Sequence, residues 1–206
     1  MSVPSLPEPG MPLRVAVLAS GRGSNLEALH QASLSGQLPV VLVAVLSNKA
    51  DSGALRYAKD NGIPGFSFQP GDFESREAFD CTLMQSAADF HPDLIVCAGY
   101  MRIISAAGIA AAPCPMINIH PSLLPKYPGL NTHARALANG DSEHGASVHL
   151  VNNILDGGRV LRQVKVPVLP NDTPESLAER VLNQEHALLI ETVRCITENP
   201  QLLQST

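Results

Sequence analysis

The sequence predicts an α/β fold: a doubly wound, mostly parallel sheet with an antiparallel hairpin towards its C-terminal end. Three observations predict it. Short apolar, β-branched runs alternate with stretches of helical spacing, the signature of a parallel sheet with right-handed crossovers. The run Val40–Leu46 is continuously apolar and β-branched, as a strand buried on both faces should be. After residue 145 the pattern changes: Ala146–Asn152 and Arg159–Val166 are two strand-like runs separated by a turn ending in Asp156-Gly157-Gly158, which reads as a hairpin.

Taken in order, residues 1–12 hold Pro4, Pro7, Pro9 and Pro12 with no periodicity and read as a disordered tail, leaving 13–206 as one domain. Arg14–Ala19 is a first strand, and Ser20–Gly23 a tight loop. Ser24 opens a helix, with Glu27 at capping-box spacing. Val40–Leu46 is a second strand, and Gly53–Asp60 a helix stopped by Asn61-Gly62 and Pro64. Gly65–Phe68 is a third strand and Phe73–Phe90 a helix; Asp93–Ala98 is a fourth strand and Ile103–Ala112 a short helix. Met116–Ile119 is a fifth strand, ended by Pro121, which has no N–H to give to a ladder. After the hairpin, Thr173 as N-cap and Pro174 in the first turn start a last helix to about Thr197.

Composition narrows the function. At 206 residues, 45% hydrophobic and 16% charged, the chain has enough apolar matter for a substantial core. A net charge of −5 without a basic run argues against a nucleic-acid binder, so an anionic ligand requires a local site. No run is long enough to span a membrane. The four cysteines form no C-x-x-C pair, which suggests neither zinc nor a redox dithiol. Reduced thiols without a secretory signal point to the cytoplasm.

The loop Ser20-Gly21-Arg22-Gly23-Ser24-Asn25 joins a strand to a helix. Its glycines allow close backbone approach, and the helix start offers free N–H groups to a phosphate. A nicotinamide cofactor is the rival reading. Its fingerprint wants a third glycine where Leu26 stands, and an acid at the end of the second strand, which instead reads Leu46-Ser47-Asn48-Lys49. The loop suits a monophosphate better.

The chemistry centres on Met116 to Gly129, Met-Ile-Asn-Ile-His-Pro-Ser-Leu-Leu-Pro-Lys-Tyr-Pro-Gly. Residues two apart on a strand share a face, so Asn118 and His120 project together from the strand's carboxyl end, where open parallel sheets hold ligands. An amide and an imidazole aimed at one point can serve an oxygen that gains charge. Asp156 lies in a glycine-rich turn able to approach them, and a carboxylate beside an imidazole raises its pKa. Holding a histidine charged through a two-unit shift takes about 2.7 kcal/mol. Zinc chemistry on His120, His133, His144 and His149 is disfavoured, because their spacings of 13, 11 and 5 match no H-E-x-x-H arrangement. Ser122 lacks a G-x-S-x-G elbow, and Cys97 and Cys114 lack electropositive neighbours.

The Met116–Gly129 stretch closely resembles the signature of the formyltetrahydrofolate-dependent formyltransferases. The resemblance extends from Arg14 to about Glu191 through Ser47-Asn48-Lys49-Ala50, Gly99-Tyr100-Met101-Arg102-Ile103, Gly145-Ala146-Ser147-Val148-His149, Leu155-Asp156-Gly157-Gly158 and Gln184-Glu185-His186. It implies a Rossmann-like fold and two small-molecule partners, 10-formyltetrahydrofolate as co-substrate and phosphoribosylglycinamide as acceptor, with no metal. It brings Asp156 to His120 and implies direct amine attack on the formyl carbon, the oxyanion being held by Asn118 and protonated His120. Gly23, Ser24 and Asn25 would hold the acceptor's phosphate, and Glu185 its ribose. Met101, Arg102, Ile103, Ile104 and Asn118, with the turn Asn152, Asn153, Ile154, Leu155 and Asp156, would surround the folate, and Arg76 would meet the substrates' anionic periphery. The family pattern is broken at Asn131, where bacterial relatives often have His; Asn can donate and accept but not carry a proton. No room is expected after the last helix for the added domain of methionyl-tRNA formyltransferases, nor before the first strand for the regulatory domain of formyltetrahydrofolate deformylases. The alternatives are a formyltransferase with a sugar-nucleotide or aminoacyl-tRNA acceptor, and a nucleotide-binding oxidoreductase or regulatory module. Whether the chain pairs as a homodimer is left open.

Overall fold

The computed structural model describes residues 11–204; the tail expected over 1–12 lies, up to residue 10, outside the described residues. The seven strands are β1 (Leu13–Leu18), β2 (Val40–Ser47), β3 (Gly65–Ser67), β4 (Leu94–Cys97), β5 (Met116–His120), β6 (Glu143–Leu150) and β7 (Val160–Pro167). They form one sheet in the order β3-β2-β1-β4-β5-β6-β7. The first five run parallel, and β6 and β7 are antiparallel, as the change of pattern after residue 145 predicts. The order reverses between β1 and β4, and the crevice beyond the carboxyl ends there is the natural ligand site.

Helices cover both faces. On one side α1 (Ser24–Leu34), α2 (Gly53–Asp60) and α6 (Pro174–Glu198) bury Leu26, Leu29, Ala54, Leu177 and Leu189 against Val15, Val17, Ile117 and Ile119. On the other, α3 (Arg76–Ala88) and α4 (Ala106–Ala111) pack Phe79, Leu83, Met84 and Ile109, with Ile104 just ahead of α4, against Ala16, Leu18, Ile95 and Met116. The period of two is visible in β5: Ile117 and Ile119 face the first layer and Met116 the second, so Asn118 and His120 belong to the α3–α4 side. Phe79 is fully buried, and truncating it to alanine should cost about 3–5 kcal/mol.

Capping explains where helix boundaries differ from the sequence reading. The stretch 73–90 becomes helical only at Arg76, because the Ser75 hydroxyl accepts the Ala78 N–H at 3.0 Å. The stretch 103–112 starts at Ala106, where the Ser105 hydroxyl accepts from Gly108 at 3.2 Å. Ser24 and Glu27 form no capping box: the N-cap is Gly23, at φ +92°, with no side-chain cap. Thr173 caps α6, reciprocated by Ser176. Helix α5 (Thr132–Ala138) has no counterpart in the sequence reading; it is short, and its N-cap, Asn131, is left-handed at φ +58°.

Candidate active site

A cleft of about 810 Å³ opens where β4 and β5 end, within the range of small-molecule sites. Its walls are residues 99–104 after β4, Asn118 to Pro121, the segment 129–133, and the run 149–156 without Leu150.

The sequence-predicted trio converges there. The His120 Nδ1 lies 3.4 Å from Asp156 Oδ2, and the Asn118 amide nitrogen donates to Asp156 Oδ1 at 3.4 Å. Asp156 Oδ2 also accepts the Gly129 N–H at 2.8 Å, tying the glycine-rich turn to the proline-rich segment. The turn itself is closed at its neck by Leu150 N–H donating to the Arg159 carbonyl at 2.9 Å. A side chain on Gly158 would lie 1.7 Å from the Leu150 carbonyl oxygen, so the second glycine of the motif is a steric necessity. Asp156 itself is left-handed, at φ +49°.

Two residues without an assigned role complete the cluster. Tyr127 offers its carbonyl to His120 Nε2 at 2.9 Å; since a carbonyl only accepts, that nitrogen carries a hydrogen and Nδ1 is left to face Asp156. His149, paired with Asn118 across β5 and β6, is fixed in the same way by its Nδ1 against the Leu150 carbonyl at 2.8 Å. Its Nε2 accepts from Asn118 at 3.1 Å and stands 3.5 Å from Asp156 Oδ1. Both hydrogens of the Asn118 amide are thus engaged. The sequence signal for His149 was its place in the Gly145–His149 segment; for Tyr127, whose backbone acts, the side chain gave none.

Burial pushes the His120 pKa below its usual 6.5, and the Tyr127 carbonyl and Asp156, which pull upward, do not reverse it. Desolvation of the charged ring thus opposes the pull of the carboxylate. Burial would raise the Asp156 carboxyl, but the His149 contact, the Gly129 amide and the two nearby imidazoles carry it below the usual carboxylate value. His144 is buried and adjoins His133 at 3.2 Å; burial and that neighbour push it down to about 4.

The wall after β4 is apolar outside and polar behind. Met101 and Ile103 are 66% and 55% exposed and Ile104 is buried. The Arg102 guanidinium sits 5.0 Å over the Phe79 ring. Arg76 does not line the cleft: it donates to the Ile103 carbonyl, with Asp80 3.8 Å from its Nε. Opposite, Asn152 Oδ1 accepts the Ile154 N–H at 2.9 Å, which presents Asn153, Ile154 and Leu155 along the cleft.

The anion loop lies two strands away, on β1, about 10 Å across the sheet. A side chain on Gly23 would come within 2.8 Å of the Ala54 Cα, so α2 packs directly on the loop. The N–H groups of Ser24 and Asn25 open an uncapped helix, as anion binding requires. Asn25 Nδ2 donates to Glu185 Oε2 at 3.0 Å. Glu185 is buried, not a solvated helix residue, and burial raises its pKa. Among the described residues no cluster of His, Cys, Asp or Glu is arranged to hold a metal ion, and no helix is long and apolar enough to cross a membrane.

A switch-point cleft with an uncapped helix beside it and an amide–imidazole–carboxylate group within it defines a class of transferase, and comparison names it: the chain belongs to the formyl transferase family, which it matches over residues 13–193. A curated relative, the phosphoribosylglycinamide formyltransferase of Escherichia coli (strain K12), is 47% identical over 85% of this chain and 83% of its own. A solved phosphoribosylglycinamide formyltransferase from Brucella melitensis superposes with a TM-score of 0.84 at 44% identity, covering 90% of this chain and 95% of that one. Glycinamide ribonucleotide transformylase 1 from Symbiobacterium toebii gives a TM-score of 0.88 at 38% identity, covering 92% and 89%.

Proposed function

We propose that this protein transfers the formyl group of 10-formyltetrahydrofolate to the amine of 5'-phosphoribosylglycinamide in purine biosynthesis, acting in the cytoplasm through one formyltransferase domain. The observation that carries the reading is the meeting of Asn118, His120 and Asp156 in one cleft, in a chain whose relatives bear that activity in their names.

The cleft suits the folate: Met101 to Ile104 and Asn152 to Leu155 supply apolar surface edged by backbone polar groups, which is what a flat heterocycle needs. Gly23, Ser24 and Asn25 hold the acceptor's phosphate and Glu185 its ribose, while Arg76 supports the folate wall through Ile103.

The chemistry follows from the tautomer. Neutral His120 turns the Nδ1 lone pair towards Asp156, two acceptors facing each other at 3.4 Å. Nδ1 therefore gains most when a proton arrives. As the amine attacks the formyl carbon, His120 takes its proton, pairs with Asp156, and returns the proton to the departing folate nitrogen. Asn118 gives up its long 3.4 Å contact with Asp156 to donate to the developing oxyanion. Holding the two substrates together supplies the remainder of the rate.

The test is spectrophotometric. Tetrahydrofolate should be released only when phosphoribosylglycinamide is present. Release with a sugar nucleotide or aminoacyl-tRNA instead would assign another formyltransferase, and turnover of NADH, or formyl loss to water alone, would refute transfer to the ribotide.

A further inference from the structure

Ser20 closes the switch point. It follows β1 and is almost fully buried, between the strand that carries the anion loop and the strand that carries the folate wall. The last backbone rung joining the two is Ser20 N–H donating to the Gly99 carbonyl at 3.1 Å. Past that rung the hydroxyl takes over. Ser20 Oγ accepts the Met101 N–H at 2.8 Å, and its own hydrogen goes to Asn48 Oδ1 at 2.5 Å, at the end of β2. One hydroxyl thus fixes the ends of three neighbouring strands at the same level.

Each flanking subsite has its own supports. The anion loop is braced by Ala54 N–H donating to the Gly21 carbonyl at 3.1 Å, and by the Asn25–Glu185 bond. The wall is braced by Arg76 on the Ile103 carbonyl, and by Asp80, which is fully buried and accepts the Ser105 N–H at 2.7 Å. Neither set of contacts sets the distance from loop to wall. Beyond the backbone rung between Ser20 and Gly99, the contact that spans them is the Ser20 hydroxyl on the Met101 N–H.

We propose that Ser20 is a positioning residue for the two-substrate reaction: through Met101 and Asn48 it sets the separation of the bound acceptor from the bound formyl donor. This rests on the function proposed above. Removing the hydroxyl should leave each ligand its own contacts but loosen the spacing between reacting atoms, and rate falls steeply with such misplacement. The effect belongs on the transfer step, not on affinity.

The experiment compares wild type with Ser20→Ala. Dissociation constants are measured for phosphoribosylglycinamide and for tetrahydrofolate separately, and the single-turnover transfer rate with both substrates saturating. Expected are dissociation constants within about twofold of wild type and a transfer rate down about tenfold or more. Asn48→Ala, which leaves the hydroxyl without its acceptor, should reproduce the effect in part, and it carries the test if Ser20→Ala does not fold. An unchanged rate per folded molecule, or a loss confined to tetrahydrofolate affinity, overturns the proposal while leaving the function intact. Wild-type protein that fails to formylate the ribotide overturns the function, and this inference with it.

Discussion

The carbonyl of Tyr127 holds the Nε2 hydrogen of His120 at 2.9 Å, and Tyr127 reaches that position in a left-handed conformation, at φ +56°. A bulky residue keeps such a backbone only when its surroundings over-determine it. Here they do. The phenol donates to Asp141 at 2.8 Å and accepts from Asn139 at 2.9 Å, while the Arg135 guanidinium lies 5.1 Å over the ring. The backbone of Tyr127 therefore fixes which ring nitrogen of His120, the proposed proton carrier, faces Asp156.

Tyr127→Phe removes both phenolic hydrogen bonds but keeps ring and carbonyl. Expected are a loss of about 1–2 kcal/mol in denaturant stability and a several-fold fall in kcat with little change in either KM. Full activity would show that the ring alone holds the carbonyl.

His120→Ala should lower kcat by about 10²–10⁴-fold with KM values changed only a few-fold, because its contribution is made in the transition state. Steady-state kinetics with each substrate varied decides it. Affinity lost for both substrates with kcat retained would make His120 a binding residue.

Asp156→Asn bears on proton transfer. The Asp156 charge raises the His120 pKa, which burial has already lowered. Without that charge the pKa falls further, so the acid limb of kcat/KM, where neutral His120 is lost, should move to lower pH. The maximal rate should drop as well, because the imidazolium loses its partner. An acid limb that stays in place would remove His120 from that limb.

Gly23→Ala asks for a side chain 2.8 Å from the Ala54 Cα at a φ of +92°. Expected are reduced stability and a raised KM for phosphoribosylglycinamide, with the KM for the folate near wild type. An equal rise in both would mean that the loop's effect spreads through the whole crevice.

His144 should make the fold acid-sensitive. Its pKa is about 4 in the folded chain, against 6.5 as the ordinary value. Above pH 6.5 both states hold it neutral and it contributes no pH dependence. Between 6.5 and about 4 the unfolded chain binds the proton more readily, so stability declines as pH falls. His144→Gln should flatten that part of a Tm-against-pH curve; an unaltered slope would assign the sensitivity to other groups.

How much of this the sequence disclosed follows from what kind of contact is involved. The central strands, such as β2, were readable as apolar runs, β6 and β7 through the turn signal between them, and the meeting of Asn118 with His120 because a strand's period is two. Asp156 was placed by resemblance alone, since its approach depends on a turn folding back and no spacing encodes that. The downward pull of burial on the His120 pKa could not be read, because it depends on how much water the fold excludes. Tyr127 was hidden because a carbonyl is common to every residue. Helix α5 was missed because seven residues are too few for a periodicity to stand out among prolines and glycines.

Asn118, His120, Tyr127, His149 and Asp156 all come from one stretch, residues 116–158, whereas the anion loop and the wall after β4 come from the chain before it. Under the proposed function the protein is in that sense modular: the reacting trio comes from one stretch, and the acceptor's site from residues 20–25 together with Glu185. Grafting another acceptor loop onto residues 20–25, with a matching residue at 185, is a rational route to a transformylase for a different amine.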